Sequence, residues 1–118
     1  VRPFAYIIGI IFLIIGIAGF APNLVVDEHL AAVFHVNIWL NTLHVISGAL
    51  AFIAGFLKRV IVRLYYQIFG VLYAVLALLG FIYGEKDILG FLANNNPDTW
   101  FHVIIAIACL ILGYGSKD

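Results

Sequence analysis

Hydrophobic positions fill this chain in four long blocks, broken only by short polar intervals. No Asp, Glu, Lys or Arg occurs from Pro3 to Val26, from Leu30 to Leu57, from Leu64 to Gly84, or from Thr99 to Ser116. None of the blocks carries a polar stripe at helical spacing, so none reads as the surface helix of a water-soluble bundle. Runs of this length match the roughly 20 apolar residues that cross a bilayer as a helix. The pattern predicts spans at roughly Pro3–Phe20, Ile38–Leu57, Val60–Tyr83 and Thr99–Gly115. Three similar runs follow the first, and no small-residue cleavage pattern stands after it, so the first block reads as a retained helix and not a signal peptide.

The pattern also repeats. A shift of 58 brings Asn37 onto Asn95, His44-Val45-Ile46 onto His102-Val103-Ile104, Ile53 onto Ile111 and Gly55 onto Gly113. Upstream, a shift of 61 brings Arg2 onto Arg63, Ile7 onto Ile68, Gly9 onto Gly70 and Gly19-Phe20 onto Gly80-Phe81. The chain therefore reads as one domain, 1–118, made of two copies of a helical hairpin, about 1–59 and 60–118. The expected fold is all-α: a four-helix transmembrane bundle of two tandem parallel repeats. Parallel repeats are related by an axis along the membrane normal, unlike the inverted repeats of many carriers.

Composition strengthens the membrane reading. Apolar residues make up 65% of the chain and charged residues 10%, with a mean hydropathy of +1.16, outside the usual range of soluble domains. Net charge is zero, but the charges are sorted by loop. Arg2, Lys58, Arg59, Arg63 and Lys117 fall at one set of ends; Asp27, Glu28, Glu85, Asp87 and Asp98 fall at the other with Lys86. The positive-inside rule then places both termini and the Lys58–Arg63 turn in the cytoplasm of an inner-type membrane. Trp39, Trp100 and Tyr83 near one boundary, and Tyr6, Tyr65, Tyr66 and Tyr114 near the other, suit interfacial rings.

The outer loops repeat as well. Leu30, Val33 and Phe34 in the first correspond to Ile88, Phe91 and Leu92 in the second, and their spacing predicts a short amphipathic turn on the outer surface. Asp98 is the expected N-cap of the fourth helix and Asn37 that of the second. Asn95 is the repeat partner of Asn37. Small residues form stripes: Gly48, Ala51 and Gly55 beneath His44, and Ala106, Cys109 and Gly113 beneath His102. Such stripes mark close helix contacts, with bulky aliphatic residues left for lipid. Cys109 stands alone and has no disulfide partner in the chain.

Polar groups in hydrocarbon need partners. The candidates are Asn41 with His44, and Asp98 and Thr99 with His102. Two imidazoles at one depth could ligate a haem iron or a chlorophyll magnesium. Alternatively, each pins an outer loop to its helix by bonding a carbonyl or a neighbouring polar side chain. The structural role is expected for both histidines, with no cofactor and no metal. His29 and His35 read as a solvated loop. Paired cysteines, a phosphate-binding glycine loop, a Ser/His/Asp set and a carboxylate at mid-span are all missing from the sequence. An enzyme is not expected, and nucleic acid has no basic surface to meet.

The glycine-rich first helix ending in Gly19-Phe20, Asn41-x-x-His44 and Asp98-x-x-x-His102 together resemble a family of small bacterial four-helix membrane proteins known only as a domain of unknown function. The resemblance spans essentially the whole chain. Thr99 stands where the family pattern often has Asn. The resemblance implies a four-helix fold in the inner membrane and supplies no reaction. The leading expectation is a non-enzymatic accessory or structural subunit that packs in the lipid bilayer against larger membrane proteins or copies of itself. Haem or (bacterio)chlorophyll binding through His44 and His102, and a pore or carrier for a small solute, are the alternatives.

Overall fold

The structure is a computed structural model and describes residues 2–21, 23–30 and 33–115. Lys117, the Arg2 side chain and Ser116, used above in sorting charges and residues, lie outside what is described. Four helices carry the chain: α1 (Arg2–Ala18), α2 (Ile38–Ala54), α3 (Arg59–Tyr83) and α4 (Asn96–Leu110), which runs on into a π-helical turn, Ile111–Gly115. α3, and α4 with its π turn, are long and apolar enough to cross a membrane. α1 and α2 have 17 residues each, at the short end of the range for a span. α1 stops there because the chain tightens after it: Phe20 N–H bonds Ile17 O and Ala21 N–H bonds Ala18 O, three-residue turns that end an α-helix.

Asparagines start both return helices. The Asn37 carboxamide oxygen accepts from Leu40 N–H at 2.9 Å, and the Asn95 oxygen accepts from Asp98 N–H at 3.0 Å. Asn95, not Asp98, is thus the cap of α4. Pro97 lies in the first helical turn, where its missing N–H costs nothing, so the helix begins earlier and takes Asp98 inside it.

The outer loops differ from the amphipathic turn read from the sequence. Residues of the first form a small antiparallel sheet, β1 (Val25–Val26), β2 (His29–Leu30) and β3 (Phe34–His35), in the order β1-β2-β3. Asp27 and Glu28 both take positive φ, 49° and 64°, which builds the tight two-residue turn that suits twisted strands. Val25 and Val26 favour extended backbone. The second loop makes a single bridge, Ile88 to Leu92, closed by Leu89 and Gly90 at φ 53° and 82°. Apolar spacing alone did not distinguish a helical turn from these hairpins. The decisive signal was the Asp-Glu pair in left-handed backbone.

α1 packs on α2, and α3 on α4. Inside the first hairpin the backbones touch: a Cβ at Gly48 would lie 2.8 Å from Gly9 O and from Leu13 N. The seam between hairpins is built from larger groups. Phe12 of α1 stacks on Tyr73 of α3 at 5.1 Å, and the Tyr65 hydroxyl donates to Ser47 O at 2.8 Å. Equivalent bonds close both hairpins at one end: Tyr6 hydroxyl to Gly55 O at 2.7 Å, and Gln67 Nε2 to Gly113 O at 2.9 Å.

Apolar side chains fill the core and also cover the outside, where a water-soluble protein would be polar. Ile14, Ile17, Leu78, Ile82, Ile104 and Ile107 are exposed, whereas Asn41, His44, Ser47, Asp98, Thr99 and His102 are buried. The longest dimension is 43 Å.

Candidate functional site

At the seam, α2 and α4 each present a histidine inward. His44 is 1% exposed and His102 0%, and their Nε2 atoms lie 3.2 Å apart with the rings at 65°. One ring donates Nε2–H and the other accepts, so the two are in opposite tautomers. The walls are aromatic. Phe12 lies 5.5 Å from His44, Tyr73 lies 5.2 Å from His102, and Phe101 lies within 6 Å of both. Each histidine therefore meets the other, and not a loop carbonyl or its own helix neighbour as the sequence suggested. Only side chains from both halves of the chain complete the pair.

The other expected polar residues surround the outer end of this seam. Asn41 Nδ2 donates to Gly19 O at 2.8 Å, tying α2 to the end of α1. Thr99 Oγ1 donates to Asn94 Oδ1 at 3.0 Å, and Asn94 Nδ2 reaches Gly84 O at 2.8 Å, tying α4 to the end of α3. Asn37 Nδ2 donates to Phe91 O at 2.7 Å, and Asn95 Nδ2 to Val33 O at 2.9 Å, so each cap also holds the opposite loop. Asp98 is buried; neither carboxylate oxygen makes a well-aligned hydrogen bond, and the backbone of Asn95 and of His35 lies close to the carboxylate.

His29 and His35 sit apart from the pair, in the sheet. Their rings stack at 5.1 Å, and His35 Nδ1 lies 3.7 Å from Asp87 Oδ1 of the second loop. Cys109 is a buried free thiol. Among the described residues, no group of three or more His, Cys, Asp or Glu could hold a metal ion.

The contact between the two Nε2 atoms, 3.2 Å, is shorter than a metal bound between two axial imidazoles requires. Two axial imidazoles with metal–nitrogen bonds of about 2.0 Å stand roughly 4 Å apart with the macrocycle between them. Here the two nitrogens are in direct contact and the rings are enclosed by Phe12, Tyr73 and Phe101.

Sequence reasoning passed over Ser47, Tyr73, Phe12 and Asn94. Ser47 Oγ and Tyr73 hydroxyl are hydrogen-bonded at 2.7 Å, directly below the imidazoles on α2 and α3. A signal was present: Phe12 and Tyr73 are brought together by the same 61-residue shift that aligns the glycines.

Four helices, two of them long and apolar enough to cross a membrane, pack around a buried polar seam and carry a small three-stranded sheet in one loop, which makes this a small, mainly helical protein. The chain belongs to the family described as a domain of unknown function, DUF4383, whose model matches residues 2–115. No curated protein and no solved structure matches it.

Proposed function

We propose that this chain is a non-enzymatic integral membrane protein that crosses the bilayer four times, with both termini on the cytoplasmic side. The observation that carries this reading is the apolar exterior, long aliphatic side chains exposed along all four helices, with asparagine, histidine and aspartate buried among the apolar core. In water the exposed aliphatic faces would be a severe liability. In lipid they are the proper surface, and the buried polar groups supply helix-to-helix bonds where hydrophobic force is absent. A longest dimension of 43 Å also suits a bilayer of about 40–45 Å including head groups.

On this reading residues 1–59 and 60–118 are tandem hairpin repeats related by a twofold axis along the membrane normal. Paired bonds support that: Asn37 to Phe91 with Asn95 to Val33, Tyr6 to Gly55 with Gln67 to Gly113. The imidazole pair and the Phe12–Tyr73 stack lie where such an axis would pass. The role is that of an accessory subunit, packing through its aliphatic faces against larger membrane proteins or copies of itself. Carbonate extraction of membranes followed by native gel analysis in mild detergent tests both parts. Retention in the membrane pellet and migration in an assembly of defined stoichiometry are expected. Release by carbonate would overturn the membrane reading, and a lone monomer the subunit reading.

A further inference from the structure

The small sheet sets His29 of β2 directly opposite His35 of β3. The two imidazoles stack with ring centres 5.1 Å apart and planes 15° from parallel. Neither residue takes part in the buried seam.

The partners of the two rings decide where their protons sit. His29 Nδ1 lies 2.7 Å from Asp27 O. His35 Nδ1 lies 3.4 Å from Asn94 O and 3.7 Å from Asp87 Oδ1. Carbonyl and carboxylate oxygens only accept, so each Nδ1 carries the hydrogen. The other nitrogen of a neutral imidazole is then a lone pair. Among the described residues, neither Nε2 has a hydrogen-bond partner.

We infer that His29 and His35 form a two-imidazole site for a divalent transition-metal ion, zinc or copper in type, bound through both Nε2 atoms. Imidazole nitrogen suits these ions. Two imidazoles on one tetrahedral ion, with bonds of about 2.0–2.1 Å, hold their ring centres roughly 5 Å apart. The pair already stands at that separation. The terminal torsion of histidine is broad, so small ring rotations aim both lone pairs at one point.

The outer partners are those that metal-binding histidines use. A ring that donates its second N–H to a carbonyl or carboxylate is fixed in tautomer and made a better ligand. Asp27 O serves His29, and Asn94 O with Asp87 serves His35. Asp27 and Glu28, in the turn that joins β1 to β2, add negative charge that favours a cation. Among the described residues no group of three metal-binding side chains is placed to hold an ion, so water fills the remaining positions. Such a site is open and exchangeable. It also spans the two outer loops, because Asn94 and Asp87 belong to the second.

The test uses purified full-length protein in mild detergent, stripped with a chelator and titrated with copper(II) alone, then with zinc alone. Binding of one copper per chain is expected. Pulsed electron paramagnetic resonance, which counts imidazoles through their remote ring nitrogens, should show two. Zinc should displace the copper. His29→Gln and His35→Gln should each lose the two-imidazole spectrum and most of the affinity. Asp87→Ala should keep that spectrum and bind roughly tenfold more weakly, as outer-partner losses do. Cys109→Ser should bind as the wild type does. The wild-type spectrum reads the ligands directly, so a folding defect in a variant does not shelter the site. No saturable uptake, a spectrum with fewer than two imidazoles, or full binding in both folded histidine variants would each overturn it. Detergent solution suffices for every step, so these outcomes leave the membrane reading untouched.

Discussion

Asn37 and Asn95 hold reciprocal positions: each caps its own helix with its carboxamide oxygen, and each ties the opposite outer loop with its nitrogen, to Phe91 O at 2.7 Å and Val33 O at 2.9 Å. One side chain thus does two separable things. Replacing either asparagine by alanine removes both, and the cap alone is worth about 1 kcal/mol. Asn37→Asp keeps the capping oxygen and loses the donor, so it should cost less than Asn37→Ala. Thermal unfolding in detergent reads the difference, and equal losses would show that the tie to Phe91 carries the whole effect.

The imidazole pair should behave as a unit. Removing one ring strands the Nε2 of the other in an apolar enclosure, a penalty of roughly 1–3 kcal/mol. His44→Phe and His102→Phe should each destabilise the protein, and the double variant should be more stable than the sum of the two predicts. A double-mutant cycle by unfolding in detergent measures this coupling; simple additivity would mean that the 3.2 Å contact contributes no stability.

Ser47 and Tyr73 share one hydrogen bond at 2.7 Å. Tyr73→Phe and Ser47→Ala therefore delete the same interaction. Bonds of this kind between membrane helices average about 0.6 kcal/mol and reach about 1.7 kcal/mol. Each single variant should lose a similar amount, and the double should lose little more than either. Unfolding curves of the three variants check it.

Gly48 marks the closest approach of α1 and α2. A Cβ there would meet Gly9 O and Leu13 N, both at 2.8 Å, and backbone cannot swing away as a side chain can. Gly48→Ala should force the hairpin open and cost about 1–3 kcal/mol, as overpacking does. At Gly90 nothing lies within 4 Å, but φ is +82°, so Gly90→Ala strains only its own backbone. Comparing the two melting temperatures separates crowding from conformational strain, and Gly48→Ala should fall further.

Cys109 is the one cysteine in the chain and is fully buried. A maleimide should leave the folded protein unlabelled in mild detergent and react after denaturation. In a Cys109→Ser background, single cysteines at Lys58 and Asp87 then report sidedness. The proposed topology expects labelling of the first from the cytoplasmic face and of the second from the opposite face.

Much of this molecule was legible in order of residues. Charge-free blocks located α2, α3 and α4 to within a few positions, because an uninterrupted apolar run can satisfy its backbone only within itself. Asn37 was legible as a cap because Asn, Ser and Asp oxygens reach the free N–H groups of a first turn. Asp98 was misplaced because Pro97 and Asn95 together start α4 sooner, a matter of local backbone geometry. The outer loops were misread for a related reason: an i, i+3, i+4 spacing of Leu30, Val33 and Phe34 fits both a helical turn and a pair of hairpin strands. Left-handed φ at Asp27 and Glu28 chose the strands.

Sequence by itself determined the helices, the apolar exterior and the presence of two histidines at matching positions, since these depend on composition and spacing along one segment. Only the tertiary structure decided that His44 bonds His102, that Ser47 meets Tyr73 and that Asn37 holds the far loop. Those partners lie on different helices. Which face of one helix meets which face of another is set by close backbone contact, such as that of Gly9 with Gly48, and by how aromatic side chains fill the space between hairpins.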